Sequence, residues 1–382
     1  MSEHSGQPRD WSLSEPTVMA RIEDALTTDT PGVVATIVAV DGNSYRRPGA
    51  KMLVTDESGA GSITAGCIED EVLQLAEDVR ASGAPRLERF DLTDDDEWGL
   101  GLGCNGVIDL LLEPLDDRLG RLVDGYLDGT TGLSLTLIGG PPGDGQVRDR
   151  RYIPDGGVDA LADRPEWLDE QTRERAADSV TSERSELLSL PADSGDLRLF
   201  VDPIRPPPNL YVFGSGNDVH PVSEFAKRAG FRVTVATFRG GNANAEEFPY
   251  ADRVVSAAAP RLTETLTFDR ETYAVVMSHN LVDDRLAVDC LLDTPMPYIG
   301  IMGPSERFAE IRDALERERG PLSDAELDRL YAPIGLSLGG GEPSQIAMSI
   351  VSEVLAVHNN CKPAHLRDRD APIHPRTSSA EE

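Results

Sequence analysis

The sequence predicts an α/β protein in two parts: a mixed α+β N-terminal domain, then a Rossmann-like domain built on a doubly wound parallel sheet. Three observations carry this. At 382 residues the chain exceeds one ordinary domain and can bury two cores. After the proline run Pro206 to Pro208, strand-like and helix-like segments alternate, the pattern of parallel strands joined by crossover helices. Before it, short apolar runs separated by Gly, Asn, Asp and Ser read as antiparallel strands. The stiff, extended prolines are taken as the junction, which puts the domains at 10–205 and 206–358 with a polar, disordered tail at 359–382.

Each element follows from its pattern. Thr17 to Leu26 reads as a helix, and the valine-rich GVVATIVAVDG, Gly32 to Gly42, as a buried strand. Lys51 to Thr55 and Gly61 to Thr64 read as two short strands joined by a turn. From Ile68 to Arg80, Val72, Leu73, Leu75 and Ala76 fall at helical spacing, and Glu69, Asp70 and Glu71 occupy the first turn, where the helix dipole favours acids. Val107 to Leu112 is a further strand. Strand-like LSLTLIGG and LRLFVDPI flank a helical stretch near Glu166 to Asp178 and complete the first domain. In the second domain, NLYVFGSGNDV is strand then glycine turn, Val219 to Ala229 helix, FRVTVATFR and TYAVVMSHN strands, Asp284 to Leu292 helix, YIGIMGPSE strand then turn, and Pro343 to Val357 helix.

Composition excludes some functions. There are 67 acidic against 36 basic residues, a formal net charge of -31, so no broad basic face exists to hold nucleic acid or anionic lipid. Lysine occurs only at Lys51, Lys227 and Lys362, and this acidic, lysine-poor surface reads as adaptation to high salt, a halophilic trait. No apolar run of about 18 residues and no signal-peptide core appear, so the expected location is the cytoplasm. Four cysteines without a C-x-x-C pair read as free thiols, and neither a disulfide framework nor a metal site is signalled.

In the second domain, Gly214 and Gly216 match the first two glycines of G-x-G-x-x-G between a strand and a helix, where backbone N–H groups meet a phosphate. The third position is Val219, and the acid that would grip a ribose hydroxyl is replaced by Thr237 and Arg239. NAD(P) binding is therefore not expected, and Arg239 favours a phosphate there. A Rossmann-type fold without a dinucleotide is the other reading. Asp218, His279, Asn280, Ser305 and Arg307 fall with Arg239 at strand ends, the edge where open parallel sheets bind ligands.

Two cysteines stand in glycine turns of the first domain. Cys67, in GSITAGCIEDEV, lies at a helix N-terminus, which favours a thiolate able to attack sulfur donors or meet a soft metal. Cys104, in GLGCNG, resembles it in kind. The competing reading of both is core filling, since a free cysteine behaves as a small hydrophobe. Cys290, beside Leu286, Val288 and Leu291, reads as core, and His358, Cys361 and His365 as tail rather than metal ligands. SYRRPGAKM sets Arg46, Arg47 and Lys51 around a Pro-Gly turn, a place for an anionic ligand or for salt bridges to neighbouring acids.

Taken together, SYRRPGAKMLV, GSITAGCIEDEV, GLGCNGVIDLLLEPL, PPPNLYVFGSGNDVHPV, VVMSHNLVDDRLAV, YIGIMGPSER and APIGLSLGGGEPSQIAMSIVSEVLA resemble the XdhC/CoxF family of maturation factors for xanthine and carbon monoxide dehydrogenases. The resemblance implies a cytoplasmic homodimer, without turnover of its own, that binds the molybdenum cofactor as molybdopterin or its dinucleotide. It further implies that the protein assists replacement of an oxo ligand by sulfido and delivers the cofactor to an apo molybdenum hydroxylase, with a cysteine desulfurase as a further partner. On this basis Cys67 and Cys104 are expected to serve as ligand contacts or sulfur relays, and Arg47, Lys51, Gly66, Gly103, Gly214, Gly216, Asp218, Arg239 and His279 to contact the cofactor. The alternative is an NAD(P)-dependent oxidoreductase using the Rossmann-like domain, against which the missing ribose-binding acid counts.

Overall fold

The computed structural model describes residues 11–56, 59–92, 106–139, 149–155, 168–182, 184–190, 196–239 and 243–368. The chain divides into two compact units, Met1–Pro206 and Pro207–Glu382.

The first unit holds two antiparallel sheets. Strands β1 (Gly32–Gly42), β2 (Lys51–Thr55), β3 (Gly59–Ala60), β4 (Arg86–Asp91) and β5 (Gly106–Pro114) form one in the order β3-β2-β1-β5-β4. Strands β6 (Gly132–Gly139), β7 (Arg150–Pro154), β8 (Glu186–Leu190) and β9 (Leu197–Ile204) form the other in the order β7-β6-β9-β8. The two-residue alternation of β1 explains how they stack. Val33, Ala35 and Ile37 join the core beneath helix Glu69–Ser82, whereas Val34 packs with helices Glu15–Thr27 and Asp117–Asp128 and Val38 meets Ile138 and Phe200 of the second sheet. With both faces covered, β1 reads as a continuous apolar run rather than an alternating one.

The layer where the sheets meet is not purely apolar. Lys51 on β2 pairs with Asp202 on β9 at 2.7 Å, Arg150 on β7 with Glu113 on β5 at 2.7 Å, and Arg198 on β9 with Asp109 on β5 at 3.3 Å. The first two pairs are buried. Desolvating two ions offsets most of their attraction, so such pairs add little net stability, but removing one partner strands a charge in the interior.

Gly61 to Thr64, expected as a strand, is not one. The strand is β3 at Gly59–Ala60, and the chain then turns away at Gly61, whose φ of +90° suits glycine alone, to bury Ile63.

The second unit is a parallel six-stranded sheet: β10 (Asn209–Phe213), β11 (Arg232–Thr237), β12 (Arg253–Ser256), β13 (Thr272–Val276), β14 (Tyr298–Ile301) and β15 (Leu330–Tyr331), in the order β12-β11-β10-β13-β14-β15. The order reverses between β10 and β13, the topological switch point of a Rossmann-like fold. Leu210 and Val212 face helices Val219–Arg228 and Pro343–His358, while Tyr211 and Phe213 face helices Leu281–Leu292 and Ser305–Arg319. The sheet is therefore wound on both faces. β12, β15 and helix Ser305–Arg319 were not anticipated in the sequence. Residues 359–368 of the expected tail are described and include a short turn at Leu366–Asp368; the remainder lies outside the described residues. His358 is tied to the fold, its Nδ1 sharing a hydrogen bond of 3.0 Å with the Tyr273 hydroxyl. Cys290 packs, partly buried, against the core on the Leu281–Leu292 side.

Candidate functional site

Two glycine turns, one in each unit, carry the chemistry-bearing residues. In the first, the chain runs from buried Thr64 through exposed Ala65 and Gly66 to half-buried Cys67, then into helix Glu69–Ser82. Gly66 has φ +109°, and a Cβ placed on it would meet none of the described residues within 4 Å. The turn is thus reserved for glycine by its backbone and open above it. Cys67 lies beside that opening, with its body against the core that contains Ile63 and Ile68.

Glu69 holds this turn. Its carboxylate accepts the Thr64 N–H at 2.6 Å and hydroxyl at 2.5 Å, and the Ile68 N–H at 3.2 Å, while the Cys67 N–H donates to Thr64 Oγ1 at 2.9 Å. Glu69 is only 3% exposed. It is therefore not a solvated acid answering the helix dipole, the role its place in the first turn had indicated. It is an internal brace that consumes the amides before the helix and sets where the thiol sits.

The basic turn resolves differently from expectation at one residue. Lys51 is buried, and its ammonium donates to the Gly49 carbonyl at 2.9 Å and to Asp202 at 2.7 Å. Its charge is spent inside the unit, so the anion-holding role expected of Lys51 does not fit its surroundings. Arg47 is exposed and Arg46 half-buried. Gly103 and Cys104 lie outside the described residues; the chain resumes at Gly106, paired with Gly42 at the end of β1.

In the second unit the candidate residues collect at the carboxyl edge of the sheet. A Cβ on Gly214 would stand 2.6 Å from the Met277 carbonyl, so β10 and the loop after β13 approach as closely as they do only with glycine there. Asp218 is the N-cap of helix Val219–Arg228, but its side chain makes no capping hydrogen bond. Instead Asp218 Oδ2 accepts from His279 Nε2 at 2.7 Å, across the switch point. His279 has φ +58°, an unusual conformation for a side chain of this size.

Next to this pair is a second network, of which the sequence had placed Arg307 at this edge but had not shown the bonds to Asp284. Asp284, 1% exposed, accepts from the Ser278 hydroxyl at 2.5 Å and N–H at 3.2 Å and from Arg307 Nη2 at 2.5 Å. It ties the loop after β13 to helix Ser305–Arg319 beyond β14. Arg307 Nε is buried without a hydrogen-bond partner among the described residues. Asn280 is a helix cap, its side-chain oxygen accepting the Val282 and Asp283 amides at 3.0 and 3.1 Å. The signals available were Asn280 followed by Asp283 and Asp284, which marks a helix start, and the place of Arg307 at a strand end; neither shows that Ser278 and Arg307 share Asp284. Arg239, after β11, has a side chain 72% exposed and stands 3.6 Å from Asp283. The structure thus brings Gly214, Gly216, Asp218, His279 and Arg239 to one sheet edge. Among the described residues no helix is long and apolar enough to cross a membrane.

Comparison with known proteins finds matches in both units. A family described as XdhC and CoxI matches residues 25–91, and one described as XdhC Rossmann domain matches residues 210–354. The chain is 28% identical over 337 residues to a Bacillus subtilis (strain 168) protein named as a probable subunit of xanthine dehydrogenase, covering 87% of this chain and 95% of that one. An uncharacterized Escherichia coli (strain K12) protein, YqeB, is 28% identical over 178 residues, 45% of this chain and 32% of its own length. A crystal structure described as a xanthine dehydrogenase from Bacillus halodurans superposes with a TM-score of 0.69 at 27% identity, covering 92% of this chain and 97% of that one.

Proposed function

The chain belongs to the XdhC family, whose link to xanthine dehydrogenase supports a role in maturing enzymes of that type, and from that membership we propose a chaperone for the molybdenum cofactor. In this reading the protein takes the cofactor as cargo, shields it while an oxo ligand is exchanged for sulfido, and passes it to an apo molybdenum hydroxylase. The observation that carries the reading is the turn at Gly66 and Cys67: a half-buried thiol beside a glycine above which no described residue comes within 4 Å. A thiol so placed is supported on one side by the core and reachable by a bulky ligand from the other. Glu69 fixes the backbone around it through three hydrogen bonds, so the thiol is positioned without a ligand having to order it.

Cys67 is assigned as the ligand contact or sulfur relay, with a cysteine desulfurase as the sulfur source. Cys104 keeps the same proposed role. The pterin of the cargo carries a phosphate, for which each unit offers its own exposed guanidinium, Arg47 in the first and Arg239 in the second. Work on the cofactor takes place in the cytoplasm, and a homodimer is the proposed assembly.

The test is reconstitution. A xanthine dehydrogenase-type apoenzyme is mixed with molybdenum cofactor and a sulfur source, with and without this protein, and its activity is followed. Faster and more complete activation with wild type than with Cys67→Ala supports the chaperone; equal activation with both, or NAD(P)H oxidation by the protein alone, overturns it.

A further inference from the structure

The second glycine turn is covered, and what covers it selects the ligand. In a dinucleotide-binding Rossmann fold the second glycine lets a bridging diphosphate approach the backbone, and the helix N-terminus faces that anion. Here the second glycine is Gly216, and a Cβ placed on it would lie 2.5 Å from Asp218 Oδ1 and 3.6 Å from His279 Cδ2. A carboxylate oxygen therefore lies over the glycine, and the imidazole, whose side chain is 58% exposed, stands in ordinary van der Waals contact beside it. They are locked to each other by the 2.7 Å hydrogen bond from His279 Nε2 to Asp218 Oδ2. Asp218 is also the helix N-cap and spends no side-chain hydrogen bond on the helix, so its charge stays over the turn. The left-handed backbone of His279 holds the ring there from the far side of the switch point.

We infer that Asp218 and His279 close the diphosphate cradle of this domain, by occupying its space and by presenting a negative charge, and so make its edge a site for a phosphate monoester rather than a bridged diphosphate. The monoester is taken by Arg239. That guanidinium is 72% exposed and only loosely engaged with Asp283 at 3.6 Å, so its donors can turn to the terminal oxygens of a phosphate. No acid stands at the end of β11 to grip a ribose, where Thr237 donates its hydroxyl to the Arg239 carbonyl at 3.1 Å. Resting on the chaperone reading, this names the admitted cargo as the monophosphate form of the pterin, with the dinucleotide form excluded.

The experiment has two arms, each on the full chain. In the first, ADP and inorganic pyrophosphate are titrated calorimetrically into wild type, Asp218→Ala and His279→Gly. The last variant keeps the left-handed backbone, which glycine adopts freely, and guards against a folding defect in the other. Both variants are expected to gain at least tenfold in affinity for the two diphosphates. Wild-type affinity equal to theirs overturns the closure. In the second arm, wild type and Arg239→Ala are exposed to molybdopterin and to its dinucleotide form. Wild type is expected to retain the monophosphate form at least tenfold more tightly, and Arg239→Ala to lose that preference; equal retention of both forms by wild type overturns the assignment. If no pterin binds at all, the chaperone reading fails, while the ADP arm still decides whether the cradle is closed.

Discussion

The two glycine turns look alike in sequence and differ in what lies over them. At Gly66 no described residue comes within 4 Å above the backbone and a thiol stands at its side; at Gly216 Asp218 lies over the backbone with His279 beside it. Both turns precede a helix, and both were read as places for a ligand. The difference teaches that a glycine turn advertises backbone geometry, while access is decided by residues elsewhere: Glu69 folding back on one turn, and His279 reaching the other from a strand whose polar end lies 61 positions along the chain from Asp218.

The comparison can be broken at several points. The largest effect is expected in the layer between the two sheets of the first unit. Asp202→Asn leaves the buried ammonium of Lys51 without its counter-charge and should cost about 3 to 5 kcal/mol in urea unfolding. The loss should appear in the transition of the first unit, because both partners lie within it. Next is Glu69→Gln, which weakens a carboxylate bonded to two amides and a hydroxyl; about 2 kcal/mol is expected, with a change in thiol alkylation rate at Cys67 as the local readout. Gly66→Ala should cost about 1 kcal/mol, from backbone strain, since the new methyl group meets none of the described residues within 4 Å. Gly214→Ala provides the contrast, because its methyl group would meet the Met277 carbonyl at 2.6 Å; a larger fall in Tm than for Gly66→Ala is expected, and equal falls would remove the distinction between open and crowded turns.

The smallest effect is a pH dependence of the second unit. Burial, followed by the neighbouring Glu353 that accepts its hydroxyl at 2.7 Å, raises the pKa of Tyr298 well above the ordinary phenol value. A phenol whose pKa is raised on folding is held neutral in the native state. Its contribution is complete below the unfolded-state pKa, about 10, and is lost as pH rises from there through the folded value. Unfolding followed between pH 8 and pH 11, about one unit above the phenol value, should show a decline at the alkaline end that Tyr298→Phe reduces.

How much of this was legible in the sequence depended on the range of the interaction. The fold class was legible because alternation is local: NLYVFGSGNDV gives β10 and its glycine turn within eleven letters, and the spacing of Val72, Leu75 and Ala76 gives the helix that covers the first sheet. The strand ends of a parallel sheet fall on one edge by topology, so Asp218, Arg239 and His279 could be gathered without knowing any contact. That Asp218 and His279 bond to each other was not visible, nor was the pairing of Lys51 with Asp202, separated by 151 positions. Glu69 was misread for a subtler reason. An acid in a first helical turn fits the dipole whether it points to water or inward, and only the tertiary fold shows that this one is buried.

The most direct test of the central claim is made on protein purified without oxygen from a cofactor-producing host. Pterin released from wild type and from Cys67→Ala is measured by fluorescence after oxidation. Near-stoichiometric pterin is expected in wild type and its loss in the variant, with the far-ultraviolet circular dichroism of both unchanged. Pterin absent from wild type, or present equally in both, would contradict the claim and return Cys67 to the core it packs against.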